Sequence, residues 1–225
     1  MKSSSRPYAA RYSLKQSILA LGETGYPFEK FVAAMLSANG FETEVGIIVK
    51  GKCVNHEVDV IAEKGNRHFM CECKFHNRQN KQCNVKVPLY IQARFKDVEA
   101  SWINIDGHKN KFYQGWIVTN TRFTSDAMKY GNCADLHLVS WDSPKDNGIE
   151  DLMDRMGIHL VTCLTTLTRK EKADLIERDI ILCLDLCLNP KHLTLINVSE
   201  KRQVKILQEA NGLCQKGLRQ MGSEE

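Results

Sequence analysis

The sequence predicts an α/β fold: a central mixed β-sheet flanked by helices, followed by a small C-terminal all-α appendage. Residues 41–49 and 56–75 alternate apolar and polar side chains, as half-buried strands do. Residues 115–142 have the pattern of a strand, a helix and a strand, a succession that implies a mixed sheet with helices on its faces. Beyond residue 150 the chain carries only helical signals.

Changes in composition divide the 225 residues into four predicted segments. The first dozen residues lack apolar periodicity, which is typical of a terminal tail. A turn-rich stretch separates the α/β part from the helical part. We therefore predict a tail or linker over residues 1–12, an α/β domain over 13–145, a helical C-terminal domain over 151–216 and a frayed tail over 217–225.

The first predicted helix of the α/β domain starts at Pro27, and Asn39-Gly40 supplies its end. Its apolar side chains recur at helical spacing and form one stripe: Phe28, Phe31, Val32, Met35 and Leu36. Glu29 lies at the edge of that stripe. This carboxylate is therefore expected to point into the fold.

A second helix is predicted over residues 85–101, after the polar and basic loop 76–82. Lys86, Tyr90 and Arg94 follow one another at four-residue intervals along it. Residues at this spacing share one side of a helix. The pattern therefore predicts a side that presents two cations and an aromatic ring.

The C-terminal segment is predicted to be helical. Thr168 and Glu171 have the spacing of a capping box, which marks a helix start. Asn189-Pro190 breaks the helical pattern, and Ser199 begins the last predicted helix.

The net charge of +4 and the isoelectric point near 8.5 are mildly basic. Such a charge permits a polyanionic partner without arguing for one. No apolar run reaches the length of a membrane span, and no N-terminal apolar segment marks a signal peptide.

The nine cysteines lie scattered through apolar segments, so reduced thiols and a cytoplasmic location are expected. Cys71 and Cys73 lack the second ligand pair that a structural zinc site needs.

Residues 56–75, HEVDVIAEKGNRHFMCECKF, are predicted to form a β-hairpin around Gly65-Asn66. Glycine in the first position suits a two-residue hairpin turn. If these two residues form the loop, Lys64 faces Arg67 across the hairpin. Continued along the strands, this register fixes every other cross-strand pair.

On this register Asp59 and Glu72 lie side by side, about 5 Å apart between Cβ atoms. Lys74 projects from the same face, because side chains alternate along a strand. Opposed like charges destabilise a hairpin, so the pair needs a compensating cation, either Lys74 or a divalent metal. An ordinary solvated face is the simpler interpretation. Ile61 and Met70 on the same face instead indicate that it is covered.

These residues have the chemistry of a magnesium site. Mg²⁺ takes one or two protein carboxylates together with substrate phosphate and water. Asp59, Glu72 and the backbone carbonyl of Cys73 supply such a set, with Mn²⁺ as a substitute ion. Lys74 is placed to orient or deprotonate the attacking water and to neutralise developing phosphoryl charge. The predicted reaction is phosphodiester hydrolysis.

Four stretches, in this order, resemble the PD-(D/E)xK nuclease superfamily and, more closely, its Mrr-like type IV restriction endonuclease family: GYPFEKFVAAMLSANGFETEV, HEVDVIA, CECK and GWIVTNTRFTSDAMKY. The resemblance spans residues 25 to about 142 and implies a restriction-endonuclease-like catalytic domain that cleaves DNA with magnesium. It puts the catalytic set on Asp59, Glu72 and Lys74. It also makes Glu29 the helix glutamate that assists the metal.

The sequence departs from the Mrr-like pattern at two places. No proline precedes Asp59, and Glu72 stands where many Mrr-like proteins carry glutamine. The glutamate is closer to the general superfamily pattern and to Holliday-junction resolvases. A branched-DNA substrate is therefore also implied.

Two stretches, SLKQSILALGETGYPFEKF and HNRQNKQCNVKVPLYIQARFKD, are similar to a bacterial subgroup of this family. In that subgroup the nuclease domain follows an ATP-cone, a nucleotide-binding regulatory module. The resemblance implies an upstream ATP-cone as a partner module, and the 225 residues contain none.

The candidate DNA-contact residues are Lys86, Tyr90, Arg94 and Arg78. Arg and Lys follow the phosphate backbone in sequence-independent binding. A solvated helix face with a half-buried tyrosine explains the helical part of this set equally well.

The leading hypothesis is a metal-dependent DNA endonuclease. The alternative is a nucleic-acid-binding or regulatory module with a nuclease fold and weak or no catalysis; within the nuclease class, a resolvase-like activity on branched DNA remains open. Cleavage of both strands would favour a homodimer. No membrane partner is expected.

Overall fold

The computed structural model describes residues 8–78, 80–105 and 111–221. The described chain divides into two compact units. The α/β unit is Phe28–Ile149, and the helical unit joins the residues before Phe28 to those from Glu150 onward. Among the described residues, no helix is both long and apolar enough to cross a membrane.

The strands all belong to the α/β unit: β1 (Glu42–Lys50), β2 (Asn55–Lys64), β3 (Arg67–Lys74), β4 (Gln82–Cys83), β5 (Phe112–Thr119), β6 (Arg122–Phe123) and β7 (His137–Val139). Five of them form one sheet in the order β1-β2-β3-β5-β7, and β4 pairs separately with β6. Within the larger sheet, β1, β2 and β3 are antiparallel, whereas β3, β5 and β7 are parallel. The predicted central mixed sheet is confirmed.

The helices are α1 (Tyr8–Leu19), α2 (Tyr26–Ser37), α3 (Lys86–Trp102), α4 (Ser125–Cys133), α5 (Ile149–Met156), α6 (Arg169–Ile176), α7 (Cys183–Leu188), α8 (Lys191–Leu195) and α9 (Glu200–Met221). In the α/β unit, Ile91 and Phe95 of α3 share a buried core with Ile61, Met70 and Ile117 of the sheet. Burying such side chains stabilises the fold by roughly 1.5–3 kcal/mol each. The hairpin face with Ile61 and Met70 is therefore covered, as predicted.

Helix α2 contributes aromatic packing to the α/β unit. The ring of Phe28 lies 5.7 Å from the ring of Phe75, measured between centroids. Phe75 follows β3 and, by the alternation of side chains, belongs to the face opposite Met70. Helices therefore flank the sheet, as the predicted fold class requires.

The β2–β3 hairpin has the predicted register. Lys64 pairs with Arg67, and Val60 pairs with Cys71. Gly65 adopts a φ of 59°, a conformation that glycine accepts without strain. The turn chemistry therefore sets the alignment of the strand ends that carry the candidate site.

The N-terminal segment differs from the tail predicted over residues 1–12. Helix α1 begins at Tyr8, inside that segment. Alanine and arginine have high intrinsic helix propensity, and the run Ala9-Ala10-Arg11 needs no apolar period to be helical. Residues 1–7 lie outside the described part of the chain.

The two compact units have different limits from the predicted domains. The α/β unit begins at Phe28 rather than at residue 13, because the preceding residues pack with the C-terminal helices. One such contact joins the hydroxyl of Thr162 to the carbonyl oxygen of Ser17 at 2.7 Å. At the other end, α9 continues to Met221, into the segment predicted to be frayed from residue 217. Residues 222–225 are not among those described.

The helical unit has a core of its own, in which Leu186, Leu193 and Ile206 are completely buried. Thr168 and Glu171 form the predicted capping box at the start of α6. Glu171 also accepts hydrogen bonds from both terminal nitrogens of Arg202. These contacts tie α6 to α9.

Replacing Glu171 by Gln is expected to lower the free energy of unfolding by about 1 kcal/mol at pH 7. The hydrogen bonds from Arg202 lower the pKa of Glu171 to about 2, against a smaller rise caused by burial. Because the pKa of Glu171 is lower in the folded state, the ionised carboxylate stabilises the folded protein at pH values above its usual pKa of 4.5. This stabilisation is lost as the pH falls from 4.5 toward 2. Urea unfolding should show that the free energies of unfolding of the wild type and Glu171→Gln become more alike as the pH falls from 7 to 3.

The matched control for this substitution is Glu177→Gln, which changes an exposed glutamate at the end of the same helix. It should leave the free energy of unfolding unchanged at every pH. A Glu171→Gln deficit of constant size down to pH 3 would contradict the assignment to the charged carboxylate.

Candidate active site

Asp59 and Glu72 lie next to each other at the end of the hairpin. The backbone N–H of Cys73 donates to Oδ2 of Asp59 at 2.7 Å, so the side chain of Asp59 reaches across to β3. Glu72 is buried, and Asp59 is partly buried. The structure thus brings together the two carboxylates that the register predicted.

Each carboxylate oxygen of Glu72 contacts a cation. Nζ of Lys74 lies 3.1 Å from Oε1, and Nη1 of Arg94 lies 2.7 Å from Oε2. The contact with Lys74 is the expected compensation within the hairpin. Arg94 is a second cation, supplied by α3, that the hairpin alone could not reveal.

Glu29 of α2 joins this acidic group. Burial raises its pKa to about 7, with further increases from the negative charges of Asp59, Glu57 and Glu72. Burial also raises the pKa of Asp59 to about 6, and the neighbouring charge of Glu72 adds to the effect. Glu29 is half-buried, and its charge and those of Asp59, Glu57 and Glu72 repel one another.

A hard divalent cation fits this donor set. Mg²⁺ uses oxygen ligands and commonly only one or two protein carboxylates. Burial first, and neighbouring carboxylates second, raise the pKa values of Asp59 and Glu29, so a bound cation would favour their ionised forms. Within the described residues, no group of three or more His, Cys, Asp or Glu side chains is arranged to hold a metal. The predicted ligand set is smaller, since it consists of Asp59, Glu72 and the carbonyl oxygen of Cys73.

Two residues at the end of β5 fix the strand end that carries Lys74. The hydroxyl of Thr119 donates to the carbonyl oxygen of Lys74 at 2.8 Å. The amide of Asn120 makes two hydrogen bonds of 2.8 Å with the backbone of His76, one as donor and one as acceptor. Sequence reasoning missed this pair, although its signal was available: a Thr-Asn-Thr run directly after a buried strand.

The four predicted DNA-contact residues occupy different environments. Arg94 lies inside the site, where its side chain is 13% exposed. It also donates to the carbonyl oxygen of Glu57 and, at 2.8 Å, to the hydroxyl of Tyr90. Tyr90 is 51% exposed beside it. Lys86 and Arg78 are exposed, at the start of α3 and in the preceding loop.

The two carboxylates of the hairpin, together with Tyr90 and Arg94, border one open cavity of about 490 Å³. Its lining is dominated by polar and charged side chains: Asn55, His56, Glu57, Asp59, Glu72, Tyr90 and Arg94. Nε2 of His56 lies 2.8 Å from Oδ2 of Asp97 on α3. The cavity therefore joins the hairpin carboxylates to the side of α3 that carries Tyr90 and Arg94.

The fold and the site define a restriction-endonuclease-like α/β protein. Residues 21–143 match the family model described as "Restriction endonuclease", the Mrr catalytic domain, and residues 161–214 match the model "AF1548-like, C-terminal". The chain belongs to this restriction endonuclease family, as its resemblance to Mrr-like nucleases predicted.

Two comparisons place the chain beside an archaeal relative. An uncharacterized protein from Archaeoglobus fulgidus is 35% identical over 180 residues, which cover 80% of this chain and 97% of the relative. A solved structure titled "Crystal Structure of Protein of Unknown Function AF1548" aligns with a TM-score of 0.67 and 34% identity, over 84% of this chain and 98% of that one. Neither title assigns an activity. The predicted similarity was to a bacterial subgroup, whereas this relative is archaeal.

Proposed function

We propose that the protein is a metal-dependent DNA endonuclease that hydrolyses phosphodiester bonds. Asp59, Glu72 and the carbonyl oxygen of Cys73 hold Mg²⁺ or Mn²⁺, and Glu29 assists. The observation that carries the proposal is that Asp59 and Glu72 line one cavity, with Lys74 paired to Glu72, in a chain of the restriction endonuclease family. Bound metal supplies Lewis-acid activation of water and phosphate.

Lys74 stabilises charge on the phosphoryl group. Burial lowers the pKa of its ammonium group, but the adjacent carboxylate of Glu72 outweighs this effect and raises the pKa above the ordinary value. Lys74 is therefore protonated near neutral pH, which favours neutralisation of developing negative charge over deprotonation of water. Of the two roles that the sequence left open, the electrostatic role has the better support.

Arg94 is proposed to orient Glu72 from the opposite side. Its guanidinium contacts the carboxylate of Glu72, the hydroxyl of Tyr90 and the carbonyl oxygen of Glu57. A planar guanidinium with several fixed donors holds a carboxylate more rigidly than an ammonium group does. Exposed Lys86 and Arg78 then serve as outer contacts to DNA phosphates.

A binding or regulatory module with weak catalysis is the second candidate. The observation that favours it is the engagement of both Glu72 oxygens by cations. These two cations compete with a metal for the charge of Glu72, although each oxygen keeps a second lone pair. Metal titration separates the candidates, because the nuclease proposal expects the protein to bind Mg²⁺ or Mn²⁺ through Asp59 and Glu72.

The direct test is conversion of supercoiled plasmid to nicked and linear forms with Mg²⁺ or Mn²⁺, with excess chelator as the blank. Single-stranded and branched DNA should be included, because the glutamate of the motif leaves substrate structure open. Metal-dependent cleavage of any of these supports the proposal. Intact DNA in every lane, with folded protein, would reject it.

Replacing Asn120 by Ala is expected to lower the free energy of unfolding by about 2 kcal/mol, since two backbone groups of His76 lose their partner. It should also reduce cleavage by about tenfold, because the strand end that carries Lys74 is less firmly held. Asn132→Ala, an exposed position on α4, is the matched control. Urea unfolding and plasmid cleavage check the two parts, and full stability of Asn120→Ala would contradict the assigned role.

A further inference from the structure

A second cavity, of about 500 Å³, adjoins the active-site cavity in the α/β unit. The two cavities share His56, Tyr90 and Arg94 as lining residues. The further lining of the second cavity comes mainly from apolar or aliphatic side-chain surface: Val54, Ala93, Ala100 and the stems of Lys52 and Lys96. A ligand that extends beyond the acidic site therefore meets an apolar surface next.

The loop between β1 and β2 forms one wall of this second cavity and is firmly attached to α3. Both carboxylate oxygens of Asp97 accept from the loop, from the N–H of Cys53 at 2.8 Å and the N–H of Val54 at 3.3 Å. The N–H of Lys52 donates to the carbonyl oxygen of Asp97 at 2.9 Å. At Gly51, an added Cβ would lie 2.2 Å from Oδ2 of Asp97. These hydrogen bonds hold the loop in place without a bound ligand.

Tyr90 lines both cavities, and its aromatic ring can contact a ligand there. The residue is 51% exposed, and its hydroxyl accepts a 2.8 Å hydrogen bond from Arg94. The guanidinium of Arg94 also lies 5.2 Å from the ring centroid. An aromatic ring held in this way costs little conformational entropy on binding a flat ligand.

The charges around the second cavity are positive at its rim. Lys52 is exposed, and its ammonium group forms no ion pair among the described residues. Lys96 is 58% exposed and pairs with Glu99 at 2.6 Å. Asp97, the acid in this region, already accepts hydrogen bonds from the loop N–H groups and lies 2.8 Å from Nε2 of His56. An apolar, aromatic floor with a basic rim matches a nucleobase attached to phosphates.

We propose that the second cavity binds one unpaired nucleobase of the strand that the active site cuts, with the base against Tyr90 and an adjacent phosphate at Lys52. This inference rests on the proposed function. Stacking of a base on an aromatic side chain contributes about 1–3 kcal/mol and tolerates any base. In an intact duplex the base must first leave the stack, at a cost of a few kcal/mol. Single-stranded, flapped or branched DNA is therefore the preferred substrate class.

Abasic scanning tests this subsite without requiring catalysis. The full-length Asp59→Asn protein is titrated in Ca²⁺ with fluorescent single-stranded oligonucleotides, each lacking one base at a different position. One position should lose at least about fivefold in affinity, the lower end of the stacking contribution. Tyr90→Ala should remove that position dependence, and Tyr90→Phe should keep it, because the ring remains.

Leu89→Ala is the matched control, since Leu89 is an exposed apolar neighbour on the same helix that lines neither cavity. It should keep the position dependence. A flat abasic profile, or no binding of any oligonucleotide, would overturn the subsite. A flat profile with active wild-type protein leaves the nuclease proposal standing. A position-dependent profile with inactive wild-type protein supports the subsite and removes the nuclease proposal.

Discussion

Asp59→Asn is expected to reduce metal-dependent DNA cleavage on the order of 10³-fold. Asn keeps an oxygen that can accept the hydrogen bond from the N–H of Cys73, so the strand geometry is preserved. It removes the negative charge that a hard divalent cation requires. The loss should therefore fall on metal binding, with the free energy of unfolding unchanged or increased.

Plasmid cleavage and calorimetric titration with Mn²⁺ measure the two parts of this prediction. The matched control is Glu44→Gln, which neutralises an exposed carboxylate on the adjacent strand β1. It should cleave DNA and bind Mn²⁺ as wild type does. Wild-type Mn²⁺ affinity in Asp59→Asn would mean that the metal site lies elsewhere.

Lys74→Ala is expected to lower cleavage by about 10²–10³-fold while metal binding persists. The ammonium group balances one oxygen of Glu72 and, in the proposed reaction, the phosphoryl oxygens. Its removal leaves the metal ligands in place, so the affinity for Mn²⁺ should be equal to or greater than that of wild type. Lys74→Ala should therefore lose cleavage and keep metal binding, whereas Asp59→Asn should lose both.

Lys129→Ala is the matched control for charge, because Lys129 is 77% exposed on α4 and lies 3.9 Å from Asp126. Its cleavage rate should equal that of wild type. Single-turnover rates and Mn²⁺ titration provide the comparison. If Lys74→Ala cleaved at the wild-type rate, the catalytic role of the lysine would be rejected, even with a functional metal site.

Local sequence was sufficient to predict the hairpin. Gly65-Asn66 sets the turn, the turn sets the register, and a period of two then places Asp59 and Glu72 on one face. Each step depends on neighbours in the chain. The same is true of the capping box of Thr168 and Glu171, which involves residues only three positions apart.

Long-range contacts could not be predicted in this way. Arg94 has the spacing of a solvated helix position, and only the packing of α3 against the sheet brings it to Glu72, 22 residues away in the chain. Asn120 reaches His76 across 44 positions, because β3 and β5 are parallel neighbours. The apolar periodicity of a single helix or strand does not predict a hydrogen-bond partner that is distant in the sequence.

The sequence by itself determined the mixed α/β architecture, the hairpin and the Asp–Glu–Lys motif, because periodicity, turn chemistry and residue type are local properties. Only the tertiary structure decided which cations neutralise Glu72 and that the residues before Phe28 join the helical unit. It also decided that Tyr90 stands between two cavities. These features depend on which distant surfaces bury each other, and that choice is made by the free energy of the whole packed chain.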